Sequence, residues 1–237
     1  MFGATTAALM VLMAKSGRAA VGEGPLRGRP FPWAAAVLTV LAVAGVVLQL
    51  SWPGAMEALD ADPAESGWWR EFTSVFMQNG GVGGVLWNLA TLALVAALAH
   101  WCWGGTLTLL FFLSGILLPE RLDTLLGIGG DAGADPRNFA GSSGATYFLG
   151  ATLAAALLTR VHGATAGAGA EAAAGAVKDR VTAVAVPVLG LAMWLTQENG
   201  HGLVAVYGFA VGAGAAGVWA VRGRTRRSSG AVDCTTP

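Results

Sequence analysis

Six stretches of this chain are apolar and free of Asp, Glu, Lys and Arg for long enough to cross a bilayer core, and nothing else constrains its fold as strongly. They lie at about 32–50, 82–99, 101–118, 139–159, 181–196 and 201–221. Backbone in hydrocarbon has no water to bond to, so runs of this length become helices. The expected fold class is all-α, a polytopic membrane bundle of six transmembrane helices. Hydrophobic residues make up 54% of the chain and charged residues 12%, about half the charge of a soluble domain. Many of the 35 glycines fall inside the apolar runs, where small residues let helix backbones approach closely.

The connections sort by charge. Lys15, Arg18, Arg27 and Arg29 precede the first span, and Arg160, Lys178 and Arg180 lie between the fourth and fifth. Arg222, Arg224, Arg226 and Arg227 follow the sixth. The connection after the first span is acidic, with Glu57, Asp60, Asp62, Glu65 and Glu71 against Arg70; a second acidic loop carries Glu120, Asp123, Asp131 and Asp135. Basic residues near membrane ends stay cytoplasmic. Six spans with both termini cytoplasmic satisfy this asymmetry, and the expected location is the cell (plasma) membrane. Residues 2–14 are apolar but too few to span, so an interfacial helix is expected there. The predicted organisation is a cytoplasmic segment at 1–31, a membrane domain at 32–221 and a basic cytoplasmic tail at 222–237, whose arginines anchor the topology and which is disordered thereafter.

The formal net charge is zero, so no nucleic-acid partner is expected. Cys102 lies in an apolar stretch and Cys234 in the polar tail, which makes neither a disulfide framework nor a metal-ligand spacing. No metal or cofactor is implied.

Polar side chains inside spans are costly in lipid and are functional candidates. Asn88 lies in the second span, Ser143 near the start of the fourth and His201 at the start of the sixth. These three spans run in one direction, so all three residues fall at a similar shallow depth below the non-cytoplasmic surface. A serine needs a base to become a nucleophile, and histidine is the usual base. An asparagine amide can stabilise a developing oxyanion. In Gly141-Ser142-Ser143-Gly144 the glycines let backbone N–H groups at a helix start face a bound oxygen. Taken singly, each has an ordinary reading: a helix cap, an interfacial histidine, an interhelical amide bond.

These residues resemble the rhomboid family over about 68–214. The family's G-x-S-G is matched by Gly141 to Gly144, which implies Ser143 as nucleophile with His201 as its base. Tyr147, four residues on, matches a tyrosine that stacks on the catalytic histidine. The last-helix pattern is matched at His201 and Gly208, but Val204 replaces its first glycine and is expected to hold the fourth and sixth helices slightly apart. Trp69-Arg70-Glu71-Phe72-Thr73 matches the W-R-x-x-T of the first outer loop. The second-helix His-x3-Asn is only half kept, with Gly84 where the histidine belongs and Asn88 in place. His100 is expected at the cytoplasmic end and cannot replace it.

The resemblance implies an intramembrane serine endopeptidase with a Ser143–His201 dyad and no acidic third member. Asn88 and the Ser143 backbone N–H would hold the oxyanion, supported by Tyr147, Gly141 and Gly144. Its partners would be the lipid bilayer and transmembrane protein substrates cut near the outer end of their helix. The changes at Gly84 and Val204 leave a second reading, a rhomboid-like pseudoprotease that binds membrane-protein clients without cutting them. A small transporter is disfavoured, because the sequence shows no internal repeat and no midplane charge.

Overall fold

The computed structural model describes residues 2–22, 24, 28–62, 65–128, 140–164 and 170–229. Asp131, Asp135 and Arg137 of the second acidic loop, Phe139 at the expected start of the fourth span, and Cys234 lie outside the described residues. Among those described there are nine α-helices and no strand. They are α1 (Phe2–Val21), α2 (Trp33–Ser51), α3 (Ala55–Leu59), α4 (Arg70–Thr73), α5 (Gly81–Trp103), α6 (Gly105–Leu126), α7 (Ser143–Ala164), α8 (Ala170–Gln197) and α9 (Gly200–Ser229). A single 3-10 turn, Ser74–Phe76, follows α4.

Among the described residues, five helices are long and apolar enough to cross a membrane: α2, α5, Ser143–Val161 of α7, Glu171–Gln197 of α8 and Gly200–Trp219 of α9. The expected third span, α6, is not among them; beyond Pro119 its last turns carry Glu120, Arg121 and Asp123. The outward faces stay apolar, with Val40, Val47 and Leu50 on α2 and Val181, Val188 and Leu195 on α8 exposed. Apolar surface on that scale suits lipid rather than water.

Helix α7 is the axis. Its spanning window is 78% buried, against 22–33% in the other four. Tyr147, Phe148, Leu149 and Leu153 on it are almost fully enclosed. Around it stand α5, α1, α8, α9 and α6 in that order, each packing on the next, and α2 lies outside against α5.

The ring contains a helix that hydropathy did not predict there. Residues 2–14 were expected to lie at the interface, but α1 continues to Val21 and packs along α7 between α5 and α8. Its inward stripe, Leu9, Met13, Ser16 and Ala20, is fully buried at helical spacing. Lys15 and Arg18 cut the apolar run short in sequence. Lys15 is exposed, and Arg18 extends past the helix end to the carbonyls of Gly22 at 3.0 Å and Gly24 at 3.1 Å. A long basic side chain can thus leave its helix within the bundle.

Direction along the ring follows from these contacts. The Tyr147 hydroxyl donates to the Thr6 carbonyl at 2.8 Å, a Cβ on Gly150 would meet Met13 Sδ, and one on Gly17 would meet Leu153. Helix α1 therefore runs parallel to α7, starting at the Ser143 end. Helix α9 also starts there and finishes at the far end. The two ends of the described chain lie at opposite ends of the bundle, not together as the charge sorting implied. Two other boundaries move: α8 begins at Ala170 rather than near 181, and the backbone of α9 continues beyond 221 to Ser229.

Candidate active site

Ser143 is the first residue of α7. The Ser142 carbonyl starts the helix by accepting the Thr146 N–H at 2.9 Å and the Thr146 hydroxyl at 2.7 Å. The N–H groups of the first turn, that of Ser143 included, have no carbonyl within the helix to meet. Gly141 turns the chain into α7 with φ of 129°, a conformation other residues rarely adopt. Its N–H donates to the Ser74 carbonyl at 2.9 Å, which pins the helix start to the 3-10 turn.

His201 is the second residue of α9. Its Nε2 lies 3.0 Å from Ser143 Oγ. The approach of α7 and α9 makes that distance possible: a Cβ on Gly208 would collide with the Phe148 carbonyl, and one on Gly212 would come 2.6 Å from Thr152 Cα. The wider spacing expected from Val204 does not occur, because backbone contact at Gly208 and Gly212 sets the distance and Val204 is only partly buried. Tyr147, one turn after Ser143, presents its ring edge-on to His201, with centroids 4.9 Å apart at 64°.

Asn88 on α5 comes to the same place. A Cβ on Gly141 would lie 3.8 Å from Asn88 Nδ2 and 3.9 Å from Ser143 Oγ. The space over Gly141 thus borders both the Ser143 hydroxyl and an amide donor, the setting that a nucleophile beside an oxyanion site would require. Asn88 Nδ2 donates one hydrogen to Gln78 Oε1 at 2.9 Å, and an NH2 group has a second.

Sequence reasoning missed Gln78. It is 4% exposed, donates from Nε2 to Ser142 Oγ at 3.4 Å, and is itself fastened by Gln49. Its N–H donates to Gln49 Oε1 at 2.7 Å, and Gln49 Nε2 donates to its carbonyl at 3.0 Å. Asn199 was missed as well. It is 2% exposed, and its Oδ1 lies 3.1 Å from the His201 backbone nitrogen and 3.2 Å from His201 Nδ1. Both sit in connections, where a polar residue carries no signal until the fold buries it.

The remaining candidates separate. Gly84 places no side chain near Asn88, and a Cβ there would sit 3.0 Å from the Asn79 carbonyl. Around Gly144 nothing lies within 4 Å of a would-be Cβ. Arg70 braces the acidic connection, donating to the Glu57 carbonyl at 2.9 Å and pairing with Asp60 at 3.4 Å and Glu65 at 3.6 Å. The Thr73 hydroxyl donates to the Leu59 carbonyl at 2.8 Å. His100 is buried against Trp33 at the far end of α5. Among the described residues no three His, Cys, Asp or Glu side chains gather as metal ligands would.

No family model matches the chain, and comparisons with curated proteins and with solved structures find no significant match.

Proposed function

We propose that this chain is a rhomboid-like intramembrane serine endopeptidase. The observation that carries the reading is the 3.0 Å contact between Ser143 Oγ and His201 Nε2. Ser143 Oγ attacks a peptide carbonyl carbon while its proton passes to Nε2. The carbonyl oxygen becomes an oxyanion over Gly141, held by Asn88 Nδ2 and the Ser143 N–H. His201 returns the proton to the leaving amine, and water, activated in the same way, releases the acyl group. The substrates are transmembrane proteins, cut near the end of the helix that reaches the level of Ser143.

The bundle sits in the plasma membrane with the Ser143 end on the non-cytoplasmic side, because the basic connections gather at the opposite end. Six helices, α2 and α5 to α9, correspond to the rhomboid core, and α1 is a further crossing.

The test is cleavage of a model transmembrane substrate by purified wild type, Ser143→Ala and His201→Ala, with fluorophosphonate labelling alongside. Wild type should cleave and label; both variants should do neither. Gly84, which supplies no second side-chain donor, favours the pseudoprotease reading instead. A folded wild type that binds the substrate yet neither cleaves nor labels would establish that alternative.

A further inference from the structure

Asn199 stands in the turn between α8 and α9, almost wholly buried, and the protein uses each end of its amide. The orientation of that amide follows from one fixed donor. The His201 backbone N–H can only donate, so the Asn199 atom 3.1 Å from it must be the oxygen. The same oxygen lies 3.2 Å from His201 Nδ1. An amide oxygen cannot donate, so Nδ1 must carry the ring proton. In neutral imidazole the other nitrogen, Nε2, is then the acceptor, and it is Nε2 that faces Ser143 Oγ at 3.0 Å. At its other end the amide donates from Nδ2 to Thr6 Oγ1 on α1 at 3.2 Å. It is therefore held from both sides.

We propose that Asn199 is a positioning residue, the third member of a Ser143–His201–Asn199 array, which holds His201 in the Nδ1–H tautomer with Nε2 free to take the serine proton. This rests on the endopeptidase reading and deepens it, since that reading by itself needs only a dyad. The other tautomer would point an N–H at Ser143 and could accept nothing from it. Once Nε2 is protonated, Nδ1–H stays on the Asn199 oxygen and Nε2–H goes to the leaving amine. A neutral amide does this without placing a carboxylate in a membrane bundle. Backbone strain lies next to it: Glu198 has φ of 51°, the one positive value among described non-glycine residues. That bend takes the chain out of α8 and into the turn where Asn199 meets His201 Nδ1.

The experiment compares full-length wild type with Asn199→Ala and Asn199→Asp, reconstituted with one transmembrane substrate. It measures kcat, KM, the pH–rate profile and the ring 15N shifts of His201, one of three histidines, identified by its loss in His201→Gln. Tyr147 on α7 is the titratable ring against His201, and Thr6 on α1 and Gln197 on α8 are uncharged. Glu198, the nearest carboxylate in sequence, is exposed.

Wild type should show the Nδ1–H tautomer. Asn199→Ala should mix the two tautomers and lower kcat by about 10²-fold, the low end of what a positioned base contributes, with little change in KM. Asn199→Asp should keep the tautomer and most activity. Its carboxylate favours the protonated ring, so the acidic limb of the profile should move to higher pH. Asn199→Asp also keeps the helix cap, so it carries the test if Asn199→Ala fails to fold. Unchanged tautomer and kcat in folded Asn199→Ala, or an unmoved acidic limb in Asn199→Asp, would overturn the proposal. If wild type neither cleaves nor labels, the endopeptidase reading fails. The tautomer then still judges Asn199: Nδ1–H in wild type and a mixture in Asn199→Ala uphold the positioning role, and any other result rejects it.

Discussion

A side chain at position 141 would meet two obstacles at once. The backbone there, at φ of 129°, is strained for any residue with a Cβ, and that Cβ would fill the space between Asn88 Nδ2 and Ser143 Oγ. Gly141→Ala should therefore cost about 1–3 kcal/mol of stability and lower kcat by more than tenfold, read by thermal melting and substrate cleavage. A stable variant with full activity would remove the oxyanion from this place. Position 84 is a different case. A histidine there would complete a His-x3-Asn spacing with Asn88, but its Cβ would press on the Asn79 carbonyl, and Gln78 already holds the Asn88 amide. Gly84→His should destabilise by about 1–3 kcal/mol without raising kcat; higher kcat at unchanged melting would show that the pocket has room after all. Ser143, His201, Tyr147 and Asn88 were legible because their spacing makes a pattern. Gln78 and Asn199 make none: although Asn88 and His201 lie only 10 and 2 residues from them in sequence, each amide stands in a connection, where it carries no signal until the fold buries it.

The helices divide by how they bury themselves. Runs without charge announced α2, α5, α7 and α9, but the charges within α1 and at the ends of α6 and α8 obscured how far those helices extend. Whether α1 belongs to the bundle can be measured on Met13, which is fully buried. Met13→Ala should cost about 2–5 kcal/mol, as core truncations do. A helix lying on the membrane surface would lose far less, so near-wild-type melting would return α1 to the interface. The seam between α7 and α9 makes a second prediction. Gly208→Ala puts a methyl against the Phe148 carbonyl, and backbone cannot swing away as a side chain can. The helices must part, Nε2 must retreat from Ser143 Oγ, and a shift of about 1 Å can cost 10²-fold in rate. Loss of cleavage with only moderate loss of stability is the expected result, and unaltered kcat would show that the seam does not set the dyad distance.

In the molecule as a whole, α1 changes the topology. It starts beside Tyr147 and Asn199, so the chain should begin on the side of the membrane that holds the dyad. Helix α9 carries the chain away from it as far as Ser229. In a background lacking Cys102 and Cys234, Ala4→Cys and Asp62→Cys should react with an impermeant thiol reagent from the same face, and Ser229→Cys only from the opposite one. Labelling of Ala4→Cys together with Ser229→Cys would restore the arrangement with both termini on one side. The basic residues do not oppose the revised topology, because Arg18 and Arg29 gather around the end of α1, at the far end of the bundle.

The sequence alone determined the all-helical class and the placing of Ser143, Asn88 and His201 at one level. Those properties rest on local rules: transfer of side chains into lipid, the bonding of backbone to itself, and the 1.5 Å rise of a helix. Only the tertiary structure decided that α1 joins the ring, that glycine contacts rather than Val204 set the Ser143–His201 distance, and that buried amides from Gln78 and Asn199 reach Asn88 and His201. A charge within a helix is tolerable if its side chain finds an exit, and an amide has a role only if a particular partner faces it. Both conditions are met only once the helices have packed around these side chains, and neither hydropathy nor spacing along the sequence reports that packing.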